Sequence, residues 1–277
     1  MSLKDREGMR DFYDELADAE WSRLEETPRG RVSFEVHRRF LARFVSPGER
    51  VLEVGAGPGR LTFELAALGA QVSVTDFSPI QLELHRTHLE GTPAEALVQS
   101  RELLDVCDTS RYADGEFDAV VAYGGPLSYA FEDVDEALSG LLRITKPGGT
   151  VVASVMSLLG SWRYFLRGVL EDTKVAGEAS NDLVLATGDL RHFGTAHVCQ
   201  MFRARDVSEL VVRCAGEVAA MSASNWASLG DVETVIELEQ DVERWSRFLE
   251  HEIAACAEPG ALDGGTHILF AAKRAAR

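Results

Sequence analysis

The chain has 277 residues, 45% of them hydrophobic, enough for one large domain with a sizeable core. Its 45 acidic against 28 basic residues give a formal net charge of −17, which repels phosphate backbones and argues against nucleic acid as a partner. No run of about 18 apolar residues is present, so no membrane span is predicted. Cys107, Cys199, Cys214 and Cys256 form no C-x-x-C pair, which fits a reducing cytoplasm and argues against a cysteine zinc site.

The first residues, Met1 to Glu7, are charged and lack the apolar core of a signal peptide. Residues 8–26 read as a helix with Phe12, Leu16, Ala19 and Leu24 among many acids, broken by Thr27-Pro28-Arg29-Gly30. Residues 32–45 read as a second helix, with Val32, Val36, Phe40 and Phe44 on one face. Arg29, Arg31, His37, Arg38, Arg39 and Arg43 are read as the exposed face of that helix rather than as a basic patch for a polyanion. These residues, 1–46, form an N-terminal extension to a domain over 47–277.

Val51-Leu52-Glu53-Val54 then runs straight into Gly55-Ala56-Gly57-Pro58-Gly59-Arg60, and a helical pattern follows through Leu61, Phe63, Leu65 and Leu68. A strand, a tight glycine turn and a helix let backbone pass close to a ligand at the carboxyl edge of a doubly wound sheet. Strand patterns at 50–55, 71–76, 97–104, 117–123 and 150–156 alternate with helical ones at 59–68, 79–90 and 132–144, as in a parallel α/β sheet. The alternation stops after Val155. Residues 157–200 read as neither a simple helix nor a strand series, and with Trp162, Tyr164, Phe165, His192, Phe193 and His197 they are taken as an inserted cap. A helix opening at 202–207, a strand at 217–221, a second and mostly helical insertion at about 225–264, and a strand at 266–273 complete the chain.

The glycine spacing separates two chemistries. A dinucleotide turn needs G-x-G-x-x-G, whereas here Arg60 stands where the last glycine belongs, which opposes a nicotinamide-dependent oxidoreductase. The run E-x-G-x-G-x-G resembles the first motif of class I S-adenosylmethionine (SAM)-dependent methyltransferases. Four further segments follow in that family's order: Val72 to Pro79 with Asp76 at the strand end, Leu103-Leu104-Asp105-Val106, Phe117 to Tyr123, and Leu141 to Gly149. The resemblance covers roughly residues 45–156.

What the resemblance implies is a seven-stranded Rossmann-like sheet of order 3-2-1-4-5-7-6 with its last strand antiparallel, N-terminal helices folded over the cofactor, and methyl transfer from SAM to a small acceptor under a cap. It assigns Glu53, Gly55, Ala56, Gly57 and Gly59 to the methionine part of SAM. Asp76 goes to the ribose hydroxyls, Phe77 to the adenine face, Asp105 and the Val106 amide to the adenine edge, and Ala122 and Tyr123 to the flank of the methyl group. Three duller readings stay open: Glu53 as an edge-of-sheet carboxylate paired with an arginine, Asp76 as a helix cap before Ser78-Pro79, and Asp108 in place of Asp105. On the acceptor side stand Tyr13, Trp21, Tyr129, His192, Cys199, Phe202 and Trp226, with His197 either a general base or bonded to loop backbone. No metal is expected from His192, His197 and Cys199, which lack nearby carboxylates. The alternative is a SAM-binding regulatory or scaffold protein without turnover; a homodimer is compatible with either reading.

Overall fold

Arg50–Val54 (β1), Gln71–Asp76 (β2), Val98–Leu103 (β3), Phe117–Ala122 (β4), Thr145–Met156 (β5), Gly216–Ala223 (β6) and His267–Arg274 (β7) form one sheet of order β3-β2-β1-β4-β5-β7-β6. Strands β1 to β5 pair in parallel, and β7 runs antiparallel between β5 and β6. The computed structural model describes residues 8, 10, 11, 13–15, 19–22, 25–195 and 197–275. Met1 to Glu7, Phe12, Leu16 and Leu24 of the expected first helix lie outside the described residues. No described helix is long and apolar enough to cross a membrane.

The pleat of β1 sorts its side chains into two layers. Val51 points into a core with Val32, Val36, Leu65, Val72, Val121 and Leu249, while Leu52 and Val54 join Phe117, Val120, Leu138, Leu141, Val207 and Phe270 on the other face. The covering helices are Pro28–Leu41 (α1), Arg60–Ala67 (α2), Pro79–Leu89 (α3), Val134–Ile144 (α4), Ala204–Arg213 (α8), Val232–Glu239 (α9) and Val242–Cys256 (α10).

Two expectations about the helices are corrected. A break does separate the helical segment Ala19–Ser22 from the next helix, but Thr27-Pro28 also starts α1, four residues before the expected 32: the Thr27 hydroxyl accepts the Gly30 N–H at 3.0 Å, and Pro28 takes the first turn, where its missing N–H costs nothing. Residues 157–200 are largely helical, forming Leu158–Tyr164 (α5), Leu166–Ala176 (α6) and Glu178–Thr187 (α7). The insertion at 225–264 is mostly helical, as expected: α10 packs Leu249 and Cys256 into the same core layer as α1, and Arg31 and Arg39 of α1 pair with Glu239 and Glu250. Arg31, Arg38 and Arg39 thus lie on an ion-paired outer face, with Arg38 and Arg39 also meeting Glu35, whereas His37, expected on that exposed face, is buried with its Nδ1 on the Ser33 carbonyl at 2.7 Å.

Candidate functional site

The carboxyl ends of β1, β2 and β4 open onto one cleft. It is bordered by Val54, Gly55, Gly57, Asp76, Phe77, Asp105, Val106, Tyr123, Gly124 and Tyr129, with Arg10, Tyr13 and Gln81 among those closing it, and holds about 840 Å³ of non-protein space partly open to solvent.

Asp76 holds the turn at its floor. Its Oδ2 accepts the Gly57 N–H and its Oδ1 the Ser78 N–H, both at 2.8 Å. The cap of α3 is instead Ser78, whose hydroxyl accepts the Gln81 N–H at 3.0 Å. Asp76 is therefore not the helix cap, and its carboxylate borders the cleft. Burial raises its pKa to about 6 against the pull of these backbone donors, so at neutral pH it is mainly ionised. At the far wall Asp105 accepts the Cys107 N–H at 2.9 Å and borders the cleft, whereas Asp108 caps Ser110 on the surface and does not.

Two glycines of the turn have different tasks. Gly57 has φ +54, and a Cβ there would meet only Gln81 Oε1 at 3.9 Å. Gly59 has φ +100, and a Cβ would strike Leu89 Cδ1 at 2.7 Å and His85 Cδ2 at 2.9 Å. Gly57 leaves room in the cleft, while Gly59 lets α3 pack under the turn.

Glu53, Ala56, Gly59 and Ala122, expected at the cofactor, do not border the cleft. Ala122 is fully buried in the core, and Ala56 packs against the opposite layer. Glu53 belongs to a buried network beneath the turn. Arg101 donates from Nε to His85 Nδ1 at 2.9 Å. A guanidinium has no acceptor, so His85 is neutral with its proton on Nε2. That proton meets Thr62 Oγ1 at 2.8 Å, and Thr62 donates onward to Glu53 Oε2 at 2.6 Å. Burial, and after it the Arg101 charge, lower the His85 pKa to about 4, while burial raises that of Glu53 to about 8. Glu95 anchors the outer end by pairing with Arg101. Thr62 and His85 were absent from the sequence reading. Their only signal is a polar residue on the inner face of each of two adjacent helices.

On the acceptor side three distant residues meet. Tyr13 Oη and Tyr129 Oη lie 2.6 Å apart, and Tyr129 Oη lies 3.0 Å from His197 Nε2. Tyr13 and Tyr129 border the cleft; His197 stands behind Tyr129. Burial lowers the His197 pKa, so its imidazole is neutral at pH 7. The other candidates fall elsewhere. Phe202 is in the core, Cys199 is buried beside Leu158 and Met201, and His192 is exposed. Trp21 lies 4.0 Å from the His88 ring with the Arg60 guanidinium 4.3 Å over it, pinning the N-terminal segment outside α2 and α3. Trp226 lines a separate cavity. Gly124, Pro126 and Gln81 border the cleft without having been expected there. Among the described residues no cluster of His, Cys, Asp and Glu is arranged to hold a metal ion.

Residues 51–149 match the sequence model of a family described as a methyltransferase domain. The chain is similar to a demethylmenaquinone methyltransferase of Clavibacter sepedonicus, at 38% identity over 40% of this chain and 43% of the relative. It is also similar to a ubiquinone biosynthesis O-methyltransferase of Xanthomonas campestris pv. campestris, at 36% identity over 42% of this chain and 46% of the relative. The match thus spans less than half the length of these curated relatives. In fold it resembles the geranyl diphosphate C-methyltransferase of Streptomyces coelicolor A3(2), solved with Mg²⁺, geranyl diphosphate and S-adenosyl-L-homocysteine, with a TM-score of 0.53 and 17% identity over 86% of this chain and 78% of that one.

Proposed function

We propose that this chain, a member of the class I SAM-dependent methyltransferase family through its residues 51–149, transfers a methyl group from SAM to a small organic acceptor held against Tyr13 and Tyr129. The observation that carries this reading is Asp76, a buried carboxylate that ties the glycine turn to the end of β2 while still facing the cleft. A carboxylate has lone pairs beyond the two used by Gly57 and Ser78, and a ribose diol supplies the matching donors. Phe77 and Asp105, which border the cleft, are assigned to the face and the edge of the adenine, and the open space at Gly57 to the amino-acid tail.

SAM, when bound, supplies an electrophilic methyl carbon, so the protein's share is position and the exclusion of water. The Tyr13–Tyr129–His197 chain adds a route for a proton. An acceptor hydroxyl at Tyr129 gives up its proton as Tyr129 passes its own to the neutral Nε2 of His197. One of the similar proteins is named an O-methyltransferase, a reaction whose acceptor is an oxygen.

Calorimetric titration tests the reading. SAM and S-adenosylhomocysteine should bind and NAD should not, and Asp76→Ala should weaken SAM by about 1.5–3 kcal/mol. Equal affinity in wild type and Asp76→Ala would remove Asp76 from the site.

A further inference from the structure

A second cavity opens on the same edge of the sheet, beyond β5. Arg163 and Tyr164 reach it from α5, which follows β5; Trp226 follows β6; Arg29 stands in the first turn of α1. The two guanidiniums are held in place by backbone. Arg29 donates to the carbonyls of Ser228 at 3.2 Å and Gly230 at 2.7 Å, and Arg163 to that of Gly264 at 2.6 Å. Each also lies over a ring, Arg29 at 5.5 Å from the Tyr164 centroid and Arg163 at 5.8 Å from that of Trp226.

Neither guanidinium forms an ion pair with a carboxylate among the described residues. That contrasts with Arg31, Arg38 and Arg39 of the same α1, all paired with glutamates. Asp231 is near enough to feel the Arg29 charge, but its oxygens accept from the Glu233 and Thr234 N–H groups and the Thr234 hydroxyl at the start of α9. In a chain of 45 acids and 28 bases, two oriented arginines without a carboxylate in direct contact among the described residues, facing one cavity, offer their remaining donors to an anion from outside. Nη1 of Arg29, and Nε and Nη1 of Arg163, have no acceptor among the described residues, and the planar fork of such donors matches a carboxylate or phosphate.

We propose that this cavity binds a small organic anion: a carboxylate or phosphate between Arg29 and Arg163, with an apolar body against Trp226 and Leu229. Trp226 is 38% exposed, so a ring laid on it removes apolar surface from water. The site lies outside the cofactor cleft, and its occupation does not depend on the methyl-transfer reading.

The test is titration of the full chain with phenyl phosphate, followed by the indole N–H resonance of Trp226, identified by its loss in Trp226→Phe. A saturable shift is expected, with inorganic phosphate about tenfold weaker for want of the ring. Arg29→Gln and Arg163→Gln should each weaken phenyl phosphate by about tenfold or more, and Asp76→Ala should leave it unchanged. No saturable shift in wild type, or an unaltered titration in Arg163→Gln, overturns the proposal. So does an altered affinity in Asp76→Ala, which would place the probe in the cofactor cleft. Arg163 is exposed and its replacement leaves the fold intact, so it decides the matter should Arg29→Gln loosen the loop at 227–230.

Discussion

The two sides of the cleft are built differently. The cofactor side is backbone shape: a glycine turn, a strand end and one carboxylate that fastens them, with a buried network underneath. The side proposed for the acceptor is side-chain convergence, drawing Tyr13 from before the sheet, Tyr129 from after β4 and His197 from beyond helices α5 to α7. A backbone-built site is tolerant of what surrounds it and specific to one ligand. A site assembled from three remote segments can change its ligand by changing one of them. The contrast teaches that damage should read out differently on the two sides: as binding or folding on one, as rate on the other.

The largest expected effect tests the acceptor side. Tyr129→Phe removes the hydroxyl common to both hydrogen bonds, and His197→Asn removes the terminal acceptor. Each should cut methyl transfer by about 10²–10⁴ with SAM affinity intact. Because burial lowers the His197 pKa, the acidic limb of the pH–rate profile should lie below the ordinary histidine value of about 6.5 and vanish in His197→Asn. Near-normal turnover in both variants would reduce the three residues to a wall.

The second contrast lies within the turn. Gly59→Ala forces a Cβ onto Leu89 and His85 and should cost about 3 kcal/mol of unfolding free energy in denaturant titrations. Gly57→Ala meets open space and should cost only about 1 kcal/mol, yet it should hinder SAM. Equal stability losses would mean that the two glycines share one task.

The smallest effects are in pH. Asp76 must be ionised to accept from a ribose diol, so SAM affinity should fall as pH drops through about 6, and Asp76→Asn should flatten that dependence in calorimetry. Glu53 runs the other way in stability. The folded chain holds its proton more tightly than the unfolded one, so the stabilisation is full below the ordinary carboxyl pKa of about 4.3 and lost as pH climbs through about 8. Glu53→Gln should shallow the fall of melting temperature across that window; an identical slope would rule out Glu53 as its source.

The sheet was legible because buried parallel strands write their burial into continuous apolar runs, as in Val51-Leu52 and Ala119-Val120-Val121. The strand-end carboxylate was legible for the same reason, since a strand and a glycine turn fix where Asp76 must stand. The cap helices were not. Phe165, Leu170 and Val175 are exposed at 56%, 50% and 91%, so no core selects one face and no period emerges. Thr27-Pro28 misled because proline both ends helices and begins them. Trp21, Phe202 and Trp226 misled because an aromatic residue reads alike whether it lines a ligand, fills a core or clamps a neighbouring segment.

The hydrogen bonds beneath the turn run in one direction only. Arg101 can only give, so each link inward from it is fixed, and the imidazole of His85 is confined to a single tautomer. That makes His85 a natural reporter. Its Nε2 proton is shielded from solvent and should exchange slowly, giving a sharp resonance outside the crowded amide region. Since the same ring touches the space above Gly59, the line would move when the turn adjusts, and ligand arrival becomes observable without a label or a turnover assay.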